Sequence, residues 1–232
     1  MKVNGTDIRK YDAKQLTADV QPPSISVNYE WITGANVPTE FDTEVKMGHL
    51  KLSVYFKGKN RNGIVRSASE FMAYFTRACD LELDGFKGKY RGFMTGNDYE
   101  KTRVKSRYIV NLEFDGFFYD DELEIAFDRR TSGVFYMVGS RESPCTIEIY
   151  ANSALSNYTI AGFGTDDIVI EKLAAGKTLI IDGEKGIATV DGVSAFGSVS
   201  LWEFPTVKAG ATELRFSNSA ATVKIRYRPM WI

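Results

Sequence analysis

From Thr178 to Ile232 the chain is a succession of short apolar and polar alternations broken by turn residues. Glu213-Leu214-Arg215-Phe216 and Val223-Lys224-Ile225-Arg226-Tyr227 carry apolar side chains at every second position, which gives each segment one apolar face. Asp182-Gly183, Asp191-Gly192 and Ala209-Gly210 punctuate the run with residues that tolerate tight turns. A period of 2 over short segments cannot be buried by a helix. It predicts an antiparallel β-sandwich.

The 232 residues exceed the usual single-domain size, so two domains are expected, each with its own core. Twenty-nine basic against thirty acidic residues leave a net charge of −1, which argues against a protein whose main task is gripping nucleic acid. Cys79 and Cys145 fall in different expected domains and read as two reduced core thiols. The start, MKVNGTDIRKYDAK, lacks the apolar core of a secretory signal, and no segment approaches the roughly 18 apolar residues of a spanning helix. The expectation is a protein made in a cytoplasm that leaves it only within an assembled particle.

The first half is strand-rich with one helix, expected at about residues 67–79. Ser67-Ala68-Ser69-Glu70 has the form of a capping box, and Phe71, Met72, Phe75, Ala78 and Cys79 follow as an apolar stripe. Before it, Leu50, Leu52, Val54 and Phe56 share one face of a strand, and Gly58 to Gly63 turn the chain. After it, a strand from Lys89 to Thr95 is expected to end in a turn at Gly96-Asn97-Asp98. A long strand then runs from Lys101 to Phe114, with Lys101, Arg103, Lys105 and Arg107 on the face opposite Val104, Tyr108, Val110, Leu112 and Phe114. Its N-terminal half is expected to project as an arm of a hairpin. Where Phe117-Phe118-Tyr119 gives way to Asp120-Asp121-Glu122 a domain boundary is expected, dividing the chain into 1–122 and 123–232.

Ile181-Asp182-Gly183-Glu184-Lys185-Gly186, then Asp191-Gly192, then Leu201-Trp202-Glu203-Phe204-Pro205, then Ile225-Arg226-Tyr227-Arg228-Pro229 resembles, in that order, the galectin-like C-terminal domain of siphophage distal tail proteins. The order of elements in the first half resembles the ring-forming domain of the same family. The resemblance implies a mainly β fold, with a sandwich- or barrel-like ring domain ahead of a galectin-like sandwich. It gives Asp182, Gly183, Gly186, Trp202, Phe204, Pro205, Tyr227 and Pro229 structural roles. It also implies a non-enzymatic virion part at the tail tip: a homo-oligomer, typically a ring of six, that joins the tail tube to the tail-tip hub while DNA passes through the lumen. A receptor-binding protein or host glycan is a further implied partner, and no cofactor and no membrane are implied. Members with a long arm inserted in the C-terminal domain exist, but this chain has no insertion long enough.

Catalytic chemistry has few residues to draw on. His49 is the single histidine and lies on the non-core face of its strand, which leaves a Ser-His-Asp or Cys-His site without a placed base. One histidine and two distant cysteines offer no zinc spacing. Asp182-Gly183-Glu184 reads as a β-turn ahead of a calcium or acid–base site. Trp202 could be a sugar-stacking platform, but if its segment is extended it shares an inner face with Phe204 and reads as a core anchor. Lys101, Arg103, Lys105 and Arg107 are read as a solvated face, a surface that docks an acidic neighbouring subunit or a phosphate-backbone site, docking being preferred to phosphate because the face continues as Ile109, Asn111, Glu113 and Asp115 without aromatics. The alternative to a scaffold is a carbohydrate-binding adhesion module carried on an assembly domain.

Overall fold

The computed structural model describes residues 1–102, 104 and 106–231, which form two compact units, Met1–Tyr119 and Asp120–Trp231. The first contains β1 (Lys2–Val3), β2 (Thr6–Asp7), β3 (Ala13–Gln21), β4 (Ile25–Glu30), β5 (Thr39–Val45), β6 (Gly48–Lys57), α1 (Arg61–Met72), β7 (Cys79–Glu82), β8 (Lys89–Lys101) and β9 (Arg107–Tyr119). Its main sheet runs β2-β1-β7-β8-β9-β6-β3, and β4 and β5 form a separate ribbon.

The alternation along Leu50, Leu52, Val54 and Phe56 sets one fully buried face of β6. Antiparallel pairing with β9 places Phe114, Leu112 and Val110 opposite Leu50, Leu52 and Val54. Helix α1 lies on this face. Phe71 meets Phe56 at 5.4 Å and Phe75, just beyond the helix, at 4.9 Å, and Phe75 meets Phe114 at 5.2 Å, all edge to face. Such pairs add roughly 0.5–1.5 kcal/mol each beyond the area they bury.

The helix begins at Arg61, not at the Ser67 capping box, and it ends before Cys79. Asn60 is extended and its Oδ1 accepts the Gly63 amide at 2.8 Å, so Asn60 is the cap and Gly63 sits in the first turn. That start puts Ile64, Ala68 and Phe71 on the sheet. Glu70, relieved of the capping role, takes Arg66 Nε at 3.3 Å one turn back. The chain then tightens into a 3-10 turn, Ala73–Thr76, and Cys79 enters β7.

The long hairpin also differs from expectation. Gly96-Asn97-Asp98 does not turn the chain: β8 continues to Lys101, which pairs with Tyr108, and the register slips by a bulge between Met94 and Gly96. Continued pairing with β9 outweighs the local turn tendency. The reversal falls instead at residues 102–106, where Thr102 Oγ1 donates to the carbonyls of Val104 and Arg107. Lys101 therefore closes one strand and Arg107 opens the next, so the four cations are not one face of one strand. Arg103 and Lys105 lie outside the described residues.

The second unit contains β10 (Leu123–Asp128), β11 (Ser132–Met137), β12 (Ser143–Ala151), β13 (Leu155–Ala161), β14 (Ile168–Leu173), β15 (Thr178–Asp182), β16 (Ile187–Val190), β17 (Val193–Ser194), β18 (Val199–Ser200), β19 (Thr206–Val207), β20 (Gly210–Phe216) and β21 (Ala221–Tyr227). One sheet runs β10-β21-β12-β15-β16-β17, with β19 also on β12, and the other runs β11-β20-β13-β14-β18. Ile147, Ile181 and Ile225 from the first sheet and Tyr158, Ile160 and Leu214 from the second share one buried core, as a sandwich requires. The Asp191-Gly192 link from β16 to β17 has φ of +49° and +81°, the two left-handed positions of a two-residue hairpin turn.

The two rival helix starts make a test. Asn60→Ala is expected to destabilise the protein by about 1 kcal/mol, and Ser67→Ala to leave it nearly unchanged. Urea titration followed by far-ultraviolet circular dichroism separates them, and the opposite order would move the cap back to Ser67.

Candidate assembly surfaces

Four residues that could carry chemistry have structural occupations. His49 Nδ1 lies 2.8 Å from Asp115 Oδ1 across the β6–β9 pair. Cys79 and Cys145 are free and buried; burial, with Asp80 nearby, pushes the Cys79 thiol up to about 12, and burial raises Cys145 as well. Both stay protonated, so neither is a ready nucleophile. Asp182 is the acceptor at the centre of a turn: its Oδ1 takes the amides of Glu184 and Lys185 at 3.1 and 3.0 Å, and its Oδ2 takes Lys185 Nζ at 2.9 Å. Among the described residues no group of three or more His, Cys, Asp or Glu is arranged to hold a metal ion.

The motif residues of the second unit converge on one corner. A Cβ on Gly183 would lie 2.3 Å from the Pro205 carbonyl and 2.7 Å from that of Cys145, so close backbone approach explains the glycine. Left-handed conformation is required instead at Gly186, φ +65°, whose Cα faces the Phe204 ring. The Pro205 carbonyl accepts the Cys145 amide, the Tyr227 hydroxyl accepts the Val138 amide, and the Pro229 carbonyl accepts the Asp120 amide. Leu201 and Phe204 pack against the core.

Trp202 does not join them. Residues 201–205 form a bend with no strand pairing, so the alternation that put Trp202 and Phe204 on one inner face fails, and Trp202 is 84% exposed. No local signal separates these cases, because Leu-Trp-Glu-Phe-Pro fits a strand or a bend equally well.

The first unit segregates charge. Lys57, Lys59, Arg61 and Arg66 follow one another with no acidic residue from Lys57 to Ser69. The strand pairing sets Lys57 directly opposite Arg107, a like-charge pair that costs stability. Arg61 and Arg107 line a cavity of about 100 Å³ between α1 and the β8–β9 tip, with Ile64, Val65, Val104 and Tyr108 as its apolar part. Lys57, Lys59, Arg61 and Arg107 make no ion pair with any described residue. Of the four cations expected to dock a neighbour, Arg107 is the one whose side chain is seen at this cleft.

The β4–β5 ribbon is its counterpart. From Gln15 to Val45 there is no Lys or Arg, while Asp19, Glu30, Glu40, Asp42 and Glu44 are acidic. Among the described residues the ribbon strands pair only with each other, and Ile25, Tyr29, Trp31, Ile32, Val37 and Phe41 are all exposed. A two-stranded ribbon alone is marginal in water, and an exposed apolar patch of this kind marks a contact surface. The sequence held this only as an uninterrupted acidic stretch; its exposure is a property of the fold.

Residues 138–231 match the family model of the siphovirus-type tail component, C-terminal domain. Among solved structures, the Dit protein (gp 19.1) of SPP1, described as a paradigm of the hub adsorption apparatus in Gram-positive infecting phages, is similar over 100% of this chain and 98% of its own, with a TM-score of 0.76 at 12% identity. A chain of the phage p2 baseplate in its activated conformation with Sr is similar over 95% and 92%, with a TM-score of 0.50 at 11% identity. A chain of the corresponding P2 baseplate with Ca is similar over 96% and 92%, with a TM-score of 0.50 at 10% identity. At these identities the likeness is one of fold. No match is found among the curated proteins.

Asp182 gives the corner a pH signature. Burial alone would raise its carboxyl, but the Lys185 ammonium and the two amides outweigh it and hold the group below the ordinary carboxylate range. A depressed folded value means stability that is present above the unfolded value, near 3.9, and lost as pH falls through the folded one. Asp182→Asn is expected to cost roughly 1.5–3 kcal/mol at pH 7, with the difference from wild type shrinking below about pH 4. Thermal melts across pH 3–7 check this, and a pH-independent difference would deny the carboxylate its role.

Proposed function

We propose, from the match of residues 138–231 to the siphovirus-type tail-component C-terminal domain, that this protein is a structural hub subunit at the tip of a phage tail. In this reading copies of the first unit close into a ring, typically of six, that continues the tail tube and carries the tail-tip components, and the galectin-like second units lie outside it. DNA passes through the lumen without sequence-specific contact, and the work of the protein is geometric.

The observation that carries the ring is the charge segregation of the first unit. An acidic ribbon with exposed apolar side chains and a basic cleft with an apolar floor are two different patches on one surface. Neither finds its opposite charge within the described chain. When the ribbon of one copy meets the cleft of the next, both are satisfied, the ribbon gains packing partners, and the contact is heterologous, which is the type that closes into rings. The unrelieved like-charge pair of Lys57 and Arg107 fits a surface kept for an incoming anion.

The test is charge reversal and its rescue. Arg61→Glu with Arg107→Glu is expected to leave thermal stability unchanged or slightly raised, because exposed charges contribute little internally and the reversal at 107 relieves the like-charge pair with Lys57. Ring formation, followed by native mass spectrometry and negative-stain imaging, is expected to fall at least ~10-fold in affinity. Adding Glu40→Lys and Asp42→Lys to the same chain is expected to restore it. Wild-type rings are expected to weaken as ionic strength rises well above ~0.1 M. Rings from the Arg61→Glu, Arg107→Glu variant with ordinary salt dependence would overturn the ribbon-to-cleft contact.

A further inference from the structure

The sheets of the second unit end in β10 and β17 on one side of the sandwich and in β11 and β18 on the other. An unpaired row of N–H and C=O groups is a template for another strand, and folded sheets blunt it with short strands, charges, prolines or bulges. Here β17 and β18 are two residues long, and β10 carries Glu124 and Asp128. β11 has none of these protections: it runs for six residues with no charge and no proline, and it pairs with β20 without a register shift. We propose that β11 pairs with β11 of a second copy, antiparallel about a two-fold axis, so that the five-stranded sheets of the two copies join through this edge.

The hydrogen-bond geometry identifies the groups that would make the contact. The Phe216 amide donates to the Thr131 carbonyl, which makes these two residues a hydrogen-bonded pair of the antiparallel ladder. Such pairs alternate along a ladder, so Gly133, Phe135 and Met137 turn their main-chain groups toward Leu214, Thr212 and Gly210 of β20. Ser132, Val134 and Tyr136 turn theirs the other way, where no strand lies among the described residues. Beyond the strand the Val138 amide is taken by the Tyr227 hydroxyl, which bounds the open run. The same even positions carry the outer side chains: Val134 is 68% and Tyr136 72% exposed, while Phe135 and Met137 are buried in the core. Main-chain donors and acceptors are thus presented beside an apolar stripe, the combination that strand addition uses.

A second copy is the occupant that these features fit. With Val134 opposite Val134 of the other copy, each Ser132 faces a Tyr136, and all three even residues exchange their main-chain hydrogen bonds across the axis. Each Tyr136 ring then lies diagonal to the Val134 of the other copy, within reach of an aromatic side chain. No like charges meet, because the segment has none. On β20 the residues opposite Val134 and Ser132 are Glu213 and Arg215, which neutralise each other at 3.1 Å. A two-fold contact also consumes both open edges at once, so it stops at two copies and does not propagate. It is isologous and lies in the second unit, whereas the ring contact is heterologous and lies in the first, so either can be lost without the other.

The experiment uses the full chain carrying Arg61→Glu and Arg107→Glu, which sets the ring contact aside. Sedimentation velocity is expected to show a monomer–dimer equilibrium at concentrations up to ~0.5 mM, where even a weak association is populated. Amide hydrogen exchange followed by magnetic resonance is expected to slow at Ser132, Val134 and Tyr136 at least ~3-fold between dilute and concentrated samples. Gly133, Phe135 and Met137, already bonded to β20, are expected to stay as they are. Val134→Pro removes one outward amide and no bond to β20, a change that an edge strand tolerates. Tyr136→Lys sets a cation on the exposed face of each copy and leaves the core alone, so it carries the test even where Val134→Pro perturbs folding. Each variant is expected to weaken the dimer at least ~10-fold, and Tyr136→Lys to melt where its parent does. A monomer at every concentration, a dimer undiminished in Tyr136→Lys, or protection without the even-to-odd alternation would each overturn the proposal.

Discussion

The β6–β9 register is the constraint on which the first unit depends. Leu50 opposite Phe114 and Val54 opposite Val110 put one continuous apolar face under α1, and the edge-to-face series from Phe56 through Phe71 and Phe75 to Phe114 fastens the helix there. A slip of one residue would turn that face outward and strand the helix. The same register carries the pairing outward to Lys57 opposite Arg107 and so brings the tip of the long hairpin beside the start of α1. The basic cleft is thus a direct consequence of how the core strands align.

In the second unit the equivalent fixed point is the corner where Gly183 lies against the carbonyls of Cys145 and Pro205. Asp182 ties the following turn to itself through three donors, and Gly186 supplies the left-handed position that ends it. Within this frame Trp202 is the one large motif residue with no place in the packing.

Both units therefore follow one physical scheme. Apolar alternation builds a β framework, and the exposed groups lie where that framework presents them: the acidic ribbon and basic cleft in one unit, the Trp202 bend in the other. Unsatisfied surface of this kind is where a protein makes contact with other molecules. The Lys57–Arg107 pair and the exposed Tyr29, Trp31 and Phe41 are costs that nothing among the described residues offsets.

The sequence by itself determined the β class and the buried faces of individual strands. The period of 2 at Leu50–Phe56 and at Val223–Tyr227 is a local property that one side of a sheet must bury. It also determined that Asp191-Gly192 turns, because two left-handed positions in succession need such residues. Where two local signals competed, tertiary contacts decided. Asn60 prevailed over Ser67 because that start lays Ile64, Ala68 and Phe71 on the sheet, and Gly96-Asn97-Asp98 stayed extended because β9 offered partners as far as Tyr108. The candidate surfaces were least legible. Arg61 meets Arg107 only through strand pairing between segments distant in the chain, and whether an aromatic faces core or solvent depends on what packs beside it, which no local pattern encodes.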